Sequence, residues 1–466
     1  MTLPSFAQIQ SQLTSLLSVE QVSVDPADLE YYGSDWTRFT KARPTAVVFP
    51  RTTEQVQSIV LLANEMKFCL VPSGGRTGLS GGATAFQHEV IVSLEKLNRL
   101  IELNEVDQTL RCEAGMVTEV LQQHALDAGL YYPVDFASAG SSQIGGNVAT
   151  NAGGIKVIRY GMTRNWIVGL TVVTGGGDIL SLNHGLVKNA TGYDLRHLII
   201  GSEGTLAIIT EVTVRLTRQP QNLTAMVLGV QQFSDMMDIL KHFQQQLNLT
   251  AFEFFSEAAL AKVIAQHQLQ RPFETTCAYY ALLEFEQTDD HVETVAMNCF
   301  EYALEQGWIL DGTMSQSQSQ LESLWALRER ISETISTELP YKNDISVNVS
   351  KVPLFLAEVE ALVATAYPDF EIIWFGHIGD GNLHLNILKP ASLSKQEFVK
   401  ACEQVNDRVY EIVARFNGSI SAEHGIGLLK KPYLHYSRSD AEIALMKSIR
   451  LVFDPAKILN PGKLWD

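Results

Sequence analysis

Four segments of this 466-residue chain carry residue types at spacings that could do chemistry. The sharpest is Phe375-Gly-His-Ile-Gly-Asp-Gly-Asn-Leu-His-Leu-Asn386. Asp380-Gly381 is a strong two-residue hairpin signal favouring a type I′ turn. With those residues as the turn, pairing runs 379–382, 378–383 and 377–384. His377 and His384 then face each other with Cβ atoms ~4.5–5.5 Å apart, and Asn386 shares their face. A lone histidine is usually a satisfied core residue, and two facing ones need a third ligand to become a metal site. Ser421-Ala-Glu-His-Gly-Ile-Gly427 offers it, with Glu423 and His424 following an expected strand over 418–422. His377, His384 and Glu423 would form a His₂-carboxylate set with an open position for substrate. On residue types alone, a divalent metal and a buried polar network both fit.

Two glycine-rich segments point to a different ligand. Pro72-Ser-Gly-Gly-Arg-Thr-Gly-Leu-Ser-Gly-Gly82 places five glycines in eleven residues directly after an expected strand. Such a loop can present successive backbone N–H groups to an anion such as a pyrophosphate. In Gly140-Ser-Ser-Gln-Ile-Gly-Gly-Asn-Val-Ala-Thr-Asn-Ala-Gly-Gly154, Ser141 or Ser142 could cap a short helix facing an anion. Gly145, Gly146, Gly153 and Gly154 allow close approach to a flat ligand, and Asn147, Thr150 and Asn151 offer polar contacts along it. Tight turns and a Gly/Ala-packed helix pair are the bland alternatives. Two such segments, followed by Lys188-Asn-Ala-Thr-Gly-Tyr-Asp-Leu195 and Gly201-Ser-Glu-Gly-Thr-Leu206, favour a large cofactor.

The fourth segment is Trp325-Ala-Leu-Arg-Glu-Arg-Ile-Ser332, followed by Tyr341-Lys-Asn-Asp344. On one helix Arg328 and Ser332 are i,i+4 neighbours able to point at one ligand, and a guanidinium suits a carboxylate because it binds bidentately. By spacing alone, a solvated helix face with Glu329 and Glu333 pairing to Arg330 is the simpler reading.

The elements that must position these residues change in texture along the chain. Ala46–Pro50, Phe68–Pro72, Val90–Leu94, Gly169–Val173 and 207–214 read as short strands and Thr53–Met66 as a helix capped by Thr52 or Thr53. Beyond Pro220, longer amphipathic helices (Phe233–Leu247, Val292–Gln306, Leu321–Glu338, Lys395–Phe416) alternate with strands at 224–230, 278–285 and 371–376. The expected fold is α+β: residues 1–219 as a cofactor domain (core from about residue 42), 220–420 as an antiparallel sheet covered by helices, and 421–466 as a C-terminal helical segment.

Composition narrows the function classes. With 46% hydrophobic and 19% charged residues the chain is globular, and a formal charge of −17 argues against nucleic acid, which needs a basic face. No apolar run approaches the ~18–20 residues that span a bilayer. The first 37 residues hold no Lys or Arg, so no signal or transit peptide is expected. Five scattered cysteines without a C-x-x-C fit a reducing cytoplasm. Neither the G-x-G-x-x-G nor the P-loop fingerprint is present.

The P-x-G-G-x-T-G…S-G-G loop, the G-x-N-x-A-T-N-A-G-G segment and the G-S-E-G-T-L turn resemble the FAD domain of the vanillyl-alcohol-oxidase/p-cresol-methylhydroxylase flavoproteins. Within them the chain is similar to the FAD-linked D-2-hydroxyacid dehydrogenases, from about Arg43 to the C-terminal Asn-Pro-Gly. The FAD domain is then expected as two α/β subdomains. The resemblance implies FAD contacts from Pro72, Gly74, Gly75, Arg76, Thr77, Gly78, Ser80, Ser141, Ser142, Gly145, Gly146, Asn147, Thr150, Asn151, Gly153, Glu203, Gly204 and Ile208, with Asn460 near the isoalloxazine. No His or Cys flanks Arg76, so non-covalent FAD is expected. The metal reading is strengthened, with Zn²⁺ expected and Mn²⁺ or Co²⁺ compatible with the ligand types.

The branch acting on D-2-hydroxyglutarate is the most similar. It implies that Arg328, Ser332 and Lys342 bind the distal carboxylate of a small dicarboxylate 2-hydroxy acid. Ser332 stands where relatives carry Thr, Asn343 replaces an aromatic, and the Arg–Lys spacing is one residue shorter, which leaves Lys342 the weaker match. Zn²⁺ lowers a bound water's pKa from 15.7 to ~7, and a like effect on the substrate hydroxyl would bring it near the ~6.5 of a free histidine. The implied mechanism has the metal on the α-hydroxyl and C1 carboxylate, His424 taking the proton, Asn386 orienting the substrate and hydride passing to flavin N5. Alternatives are a D-lactate or other D-2-hydroxyacid dehydrogenase, a non-redox flavin synthase, and a non-catalytic flavin carrier. The last two would not need His377, His384, Glu423 and His424 together. The electron acceptor implied is an electron-transferring flavoprotein or a quinone, and a homodimer is a plausible assembly.

Overall fold

Short β-branched runs make the first sheet. In the computed structural model, which describes residues 5–37 and 41–465, Ala46–Val48 and Leu70–Ser73 flank Val90–Ser93 in parallel, and Val22–Ser23 adds an antiparallel edge. Helix Thr53–Met66 begins where the Thr52 hydroxyl accepts the Gln55 N–H and ends at left-handed Lys67. It buries Val56, Ile59, Val60 and Ala63, the stripe a 3.6-residue period predicts. The second sheet of this unit is antiparallel throughout, in the order Leu100–Asn104, Thr109–Glu113, Ala207–Arg215, Ile167–Thr174, Ile179–Leu182.

These sheets belong to one of two compact units, made of Met1–Gly153, Met162–Gln219 and Glu423–Asp466. The C-terminal segment is tied in by a parallel bridge from Leu459 to Leu70.

The second unit holds Gly154–Gly161 and Pro220–Ala422. The uninterrupted 1–219 stretch expected from the sequence is therefore broken at 154–161. Two buried acids explain it: Lys156 pairs with Glu284, and Arg159 Nη2 lies 2.8 Å from Glu286 Oε2. The core of this unit is one seven-stranded antiparallel sheet in the order Asp311–Met314, Leu223–Val230, Tyr279–Glu286, Leu249–Ser256, Ile372–Gly376, Asn382–Ile387, Tyr341–Ser346. Helices Glu257–His267, Gln318–Glu329 and Ile331–Ser336 pack Leu260, Trp325 and Ile335 onto Phe255, Ile373 and Phe375 of one sheet face.

Two expected elements differ. The helix expected over Leu321–Glu338 is interrupted at Arg330. The His267 ring there lies 3.1 Å from Arg330 Nη1 and 3.0 Å from Thr334 Oγ1, holding the chain across the break. The strand expected over 418–422 is reduced to one bridge, Ser419 to Ser346.

Candidate functional site

The hairpin exists, but its register is not the expected one. Phe375, not His377, lies opposite His384, and Ile373 lies opposite Asn386. The connection is longer than a two-residue turn: the His377 carbonyl accepts N–H groups from both Asp380 and Asn382 at 3.2 Å. Gly381 sits at φ 84°, and a Cβ there would come 2.0 Å from the Val347 carbonyl oxygen. A register shift of two residues preserves face parity, because side chains alternate with period 2. His377 and His384 therefore still meet, with ring centroids 5.3 Å apart at 86°.

Strand Tyr341–Ser346 completes the face. Lys342 lies opposite Asn386 and Asp344 opposite His384. His384 Nδ1 is 3.8 Å from Asp344 Oδ1, which also accepts from the Asn382 amide at 3.0 Å. The Asn386 amide N–H₂ is spent on the carbonyls of Ile373 and His384, both at 3.2 Å. Asn343 turns to the opposite face and accepts from the Tyr410 hydroxyl. Lys342 has no acid to pair with among the described residues, and burial holds its pKa below the ordinary lysine value. Burial likewise pushes the Asp380 carboxyl up to about 6, against the opposing pull of His377.

A residue given no role in the sequence reading organises the other end of this face. Glu253 Oε1 lies 2.8 Å from His377 Nδ1, and its Oε2 lies 2.7 Å from Arg328 Nη2. Arg328 is thus buried, not part of a solvated helix face, and it stacks 4.7 Å from the Phe375 ring centroid. Ser332 is partly buried, beyond the break at Arg330. Glu423 and His424 follow directly on Ala422, the last residue of the second unit, and open the first unit's C-terminal segment. The Ser80 hydroxyl donates to the His424 carbonyl at 2.9 Å.

In the first unit the two glycine segments touch. A Cβ on Gly75 would lie 2.1 Å from the Ser141 carbonyl oxygen and 2.8 Å from Ser142 Cα, and Gly74 faces Gln143 and Gly146. Among the described residues, the N–H groups of Gly74, Gly75, Arg76, Thr77 and Gly78 meet no acceptor. Arg76 is left-handed (φ 59°) and its guanidinium lies over Tyr31 and Tyr32.

Neither Ser141 nor Ser142 caps helix Ile144–Thr150, a correction to the expected anion-facing helix end. Gln143 is the N-cap, Ser142 Oγ meets Thr118 Oγ1 at 2.9 Å, and the Ile144 and Gly145 N–H groups go to Met116 and Ala114. Three polar side chains expected along the ligand are also engaged inside the protein. Asn147 donates to Thr118 at 2.6 Å, Thr150 back-bonds to Gly146, and Asn151 accepts from the Arg164 N–H. Gly153 is buried, and Ile208 lies opposite Val173 in the second sheet with no exposure.

The C-terminal Asn460 closes this region. Its amide donates to the carbonyls of Gly82 (2.8 Å) and Glu203 (2.7 Å), and Gly204 packs beside it and Pro72. The Glu203 carboxylate accepts the Ile426 and Gly427 N–H groups at 2.7 Å each; burial raises its pKa and those two bonds oppose the rise. Among the described residues, buried Asn460 Oδ1, Gln143 Oε1 and Ser73 Oγ have no partner. Free N–H groups on one loop and orphaned polar atoms beside it fit a phosphate-bearing cofactor with polar ring edges.

A cofactor-binding unit and a separate sheet carrying histidines, carboxylates and a partly buried lysine define a class: oxidoreductases that join a nucleotide cofactor to a small-molecule site. The chain belongs to the FAD linked oxidases, whose C-terminal domain matches residues 219–464, and it carries their FAD binding domain at 44–183. It is 60% identical over 454 residues to a D-2-hydroxyglutarate dehydrogenase of Stutzerimonas stutzeri, covering 97% of this chain and 98% of that protein. A second D-2-hydroxyglutarate dehydrogenase, from Xanthomonas citri pv. viticola, is 52% identical, covering 100% of this chain and 98% of its own length. The fold is that of p-cresol methylhydroxylase, at 15% identity and a TM-score of 0.77 over 98% of this chain and 96% of that one. Among the described residues, no helix is long and apolar enough to cross a membrane.

Proposed function

We propose that this chain oxidises D-2-hydroxyglutarate to 2-oxoglutarate, with FAD and a divalent metal held by its own residues. One observation carries the substrate assignment. Lys342 is a partly buried cation without an acid partner among the described residues, on the face that holds Asn386 and His384, and burial lowers its pKa. A buried charge is costly unless paired, and a substrate carboxylate is the partner this reading supplies. The names of the two bacterial relatives support the same substrate.

Bound FAD would supply the hydride acceptor, and a bound metal, most simply Zn²⁺, the Lewis acid that makes the hydroxyl acidic. His377, His384 and Glu423 would hold the metal, and the 72–82 loop, the 140–154 segment and Asn460 the FAD. Lys342, Arg328 and Ser332 bind the distal carboxylate. Asn386, its N–H₂ already spent, orients the substrate through Oδ1. His424 takes the hydroxyl proton on a ring nitrogen. The proposal extends to a cytoplasmic enzyme, supported by five free cysteines, passing electrons to an acceptor protein such as an electron-transferring flavoprotein, or to a quinone.

Anaerobic addition of D-2-hydroxyglutarate should bleach the flavin, and L-2-hydroxyglutarate should not. Faster bleaching by D-lactate than by D-2-hydroxyglutarate would reassign the substrate.

The lysine adds a pH dependence. It binds a carboxylate only while charged, so affinity is full below its pKa and lost as pH rises through it. Because burial lowers that pKa, KM for D-2-hydroxyglutarate should climb at a pH below the ordinary lysine range. Lys342→Met should remove this limb and raise KM roughly 10- to 100-fold, the worth of a hydrogen bond to a charged group. A pH–KM profile of the two proteins checks both statements.

A further inference from the structure

Glu253 lies on strand Leu249–Ser256, where Phe254 pairs with Gly376 and Phe255 with Phe375. Strand alternation puts Glu253 on the same face as Phe255, Phe375 and His384. It is essentially without solvent exposure, and its two oxygens go to different groups. Oε1 is 2.8 Å from His377 Nδ1. Oε2 is 2.7 Å from Arg328 Nη2, although that contact lacks hydrogen-bond alignment and leaves Arg328 Nε and Nη2 without an aligned acceptor. A carboxylate only accepts, so His377 carries a proton on Nδ1, which leaves Nε2 as the nitrogen that can ligate a metal.

We infer that Glu253 is a positioning residue that serves two subsites at once, fixing the ligand tautomer of His377 and aiming the Arg328 guanidinium at the substrate's distal carboxylate. The inference rests on the metal and substrate reading above. The carboxylate–imidazole pair orients the ring and raises its basicity as a ligand. The misaligned contact with Arg328 neutralises its charge in the apolar surroundings yet leaves its N–H donors unspent. An arriving carboxylate can take those donors without breaking an aligned bond. One buried side chain thereby couples the two ends of a short dicarboxylate.

The test separates this role from packing. Zn²⁺ is titrated into metal-stripped protein against a competing chromophoric chelator, for the wild type, Glu253→Gln and Glu253→Ala. Bound-flavin absorbance and melting temperature verify each fold. Loss of an orienting partner typically weakens metal binding 10- to 100-fold, and that is the expectation for Glu253→Ala. Glu253→Gln keeps an acceptor for His377 but removes the charge beside Arg328. It should therefore stay within a few-fold of wild type in Zn²⁺ affinity while changing KM for D-2-hydroxyglutarate much more than kcat. Equal Zn²⁺ affinity in all three proteins would overturn the positioning role and leave the metal site standing. Parallel losses in both variants that track melting temperature would reduce Glu253 to a packing residue. A wild-type protein that binds no Zn²⁺ would overturn the metal reading and this inference with it.

Discussion

Replacing His384 with alanine is expected to slow anaerobic flavin reduction by D-2-hydroxyglutarate about 10³-fold while leaving FAD bound. The ring meets His377 at 5.3 Å and stands against Asp344 on the same sheet face. Removing it takes away half the imidazole donors of the proposed metal site. A Lewis acid at a developing oxyanion contributes several kcal/mol, and about 4 kcal/mol corresponds to about 10³ in rate. FAD retention is expected because the cofactor-binding segments belong to the other compact unit. Stopped-flow absorbance gives the rate, and the flavin-to-protein absorbance ratio gives occupancy. A rate within tenfold of wild type in a fully flavinated variant would remove His384 from the chemistry.

Gly75→Ala should cost the protein most of its FAD. The new methyl would lie 2.1 Å from the Ser141 carbonyl oxygen and 2.8 Å from Ser142 Cα, and both are backbone atoms that cannot swing aside. Overpacking of this kind costs about 1–3 kcal/mol. The displacement falls on the loop whose N–H groups form the proposed pyrophosphate cradle. FAD affinity should fall at least about tenfold, the equivalent of about 1.4 kcal/mol. Titration of apoprotein with FAD, followed by flavin fluorescence, measures it. Gly176→Ala, whose Cβ would meet only side-chain oxygens at 3.6 and 3.8 Å, is the matched control and should bind FAD normally.

What the sequence made legible was local. The strand, helix and cap around Thr52 follow from apolar periodicity and one hydroxyl. The facing of His377 and His384 was readable through parity alone, so the expected register could be wrong by two residues without separating them. Phe254 and Phe255 declare a buried strand, but nothing within it says that Glu253 faces a histidine 124 positions away. Strand Tyr341–Ser346 was equally hidden, because Lys342, Asn343 and Asp344 lack the apolar signal of a central strand. Asn343 and Asp344 are satisfied by the Tyr410 hydroxyl and the Asn382 amide, both distant in sequence. Asn147, Thr150 and Asn151 show the converse: ligand-like residue types whose side chains are engaged inside the protein, with Thr118, the Gly146 carbonyl and the Arg164 N–H.

The central claim is that this chain dehydrogenates D-2-hydroxyglutarate with its metal and FAD subsites acting together. Anaerobic stopped-flow reduction of the flavin should be compared for metal-stripped and Zn²⁺-restored protein, with the D and L isomers in parallel. The account predicts rapid bleaching by the D isomer in the restored protein, loss of at least about 10³ in rate on stripping, and no response to the L isomer. Equal rates with and without metal, or bleaching indifferent to the stereocentre, would contradict it.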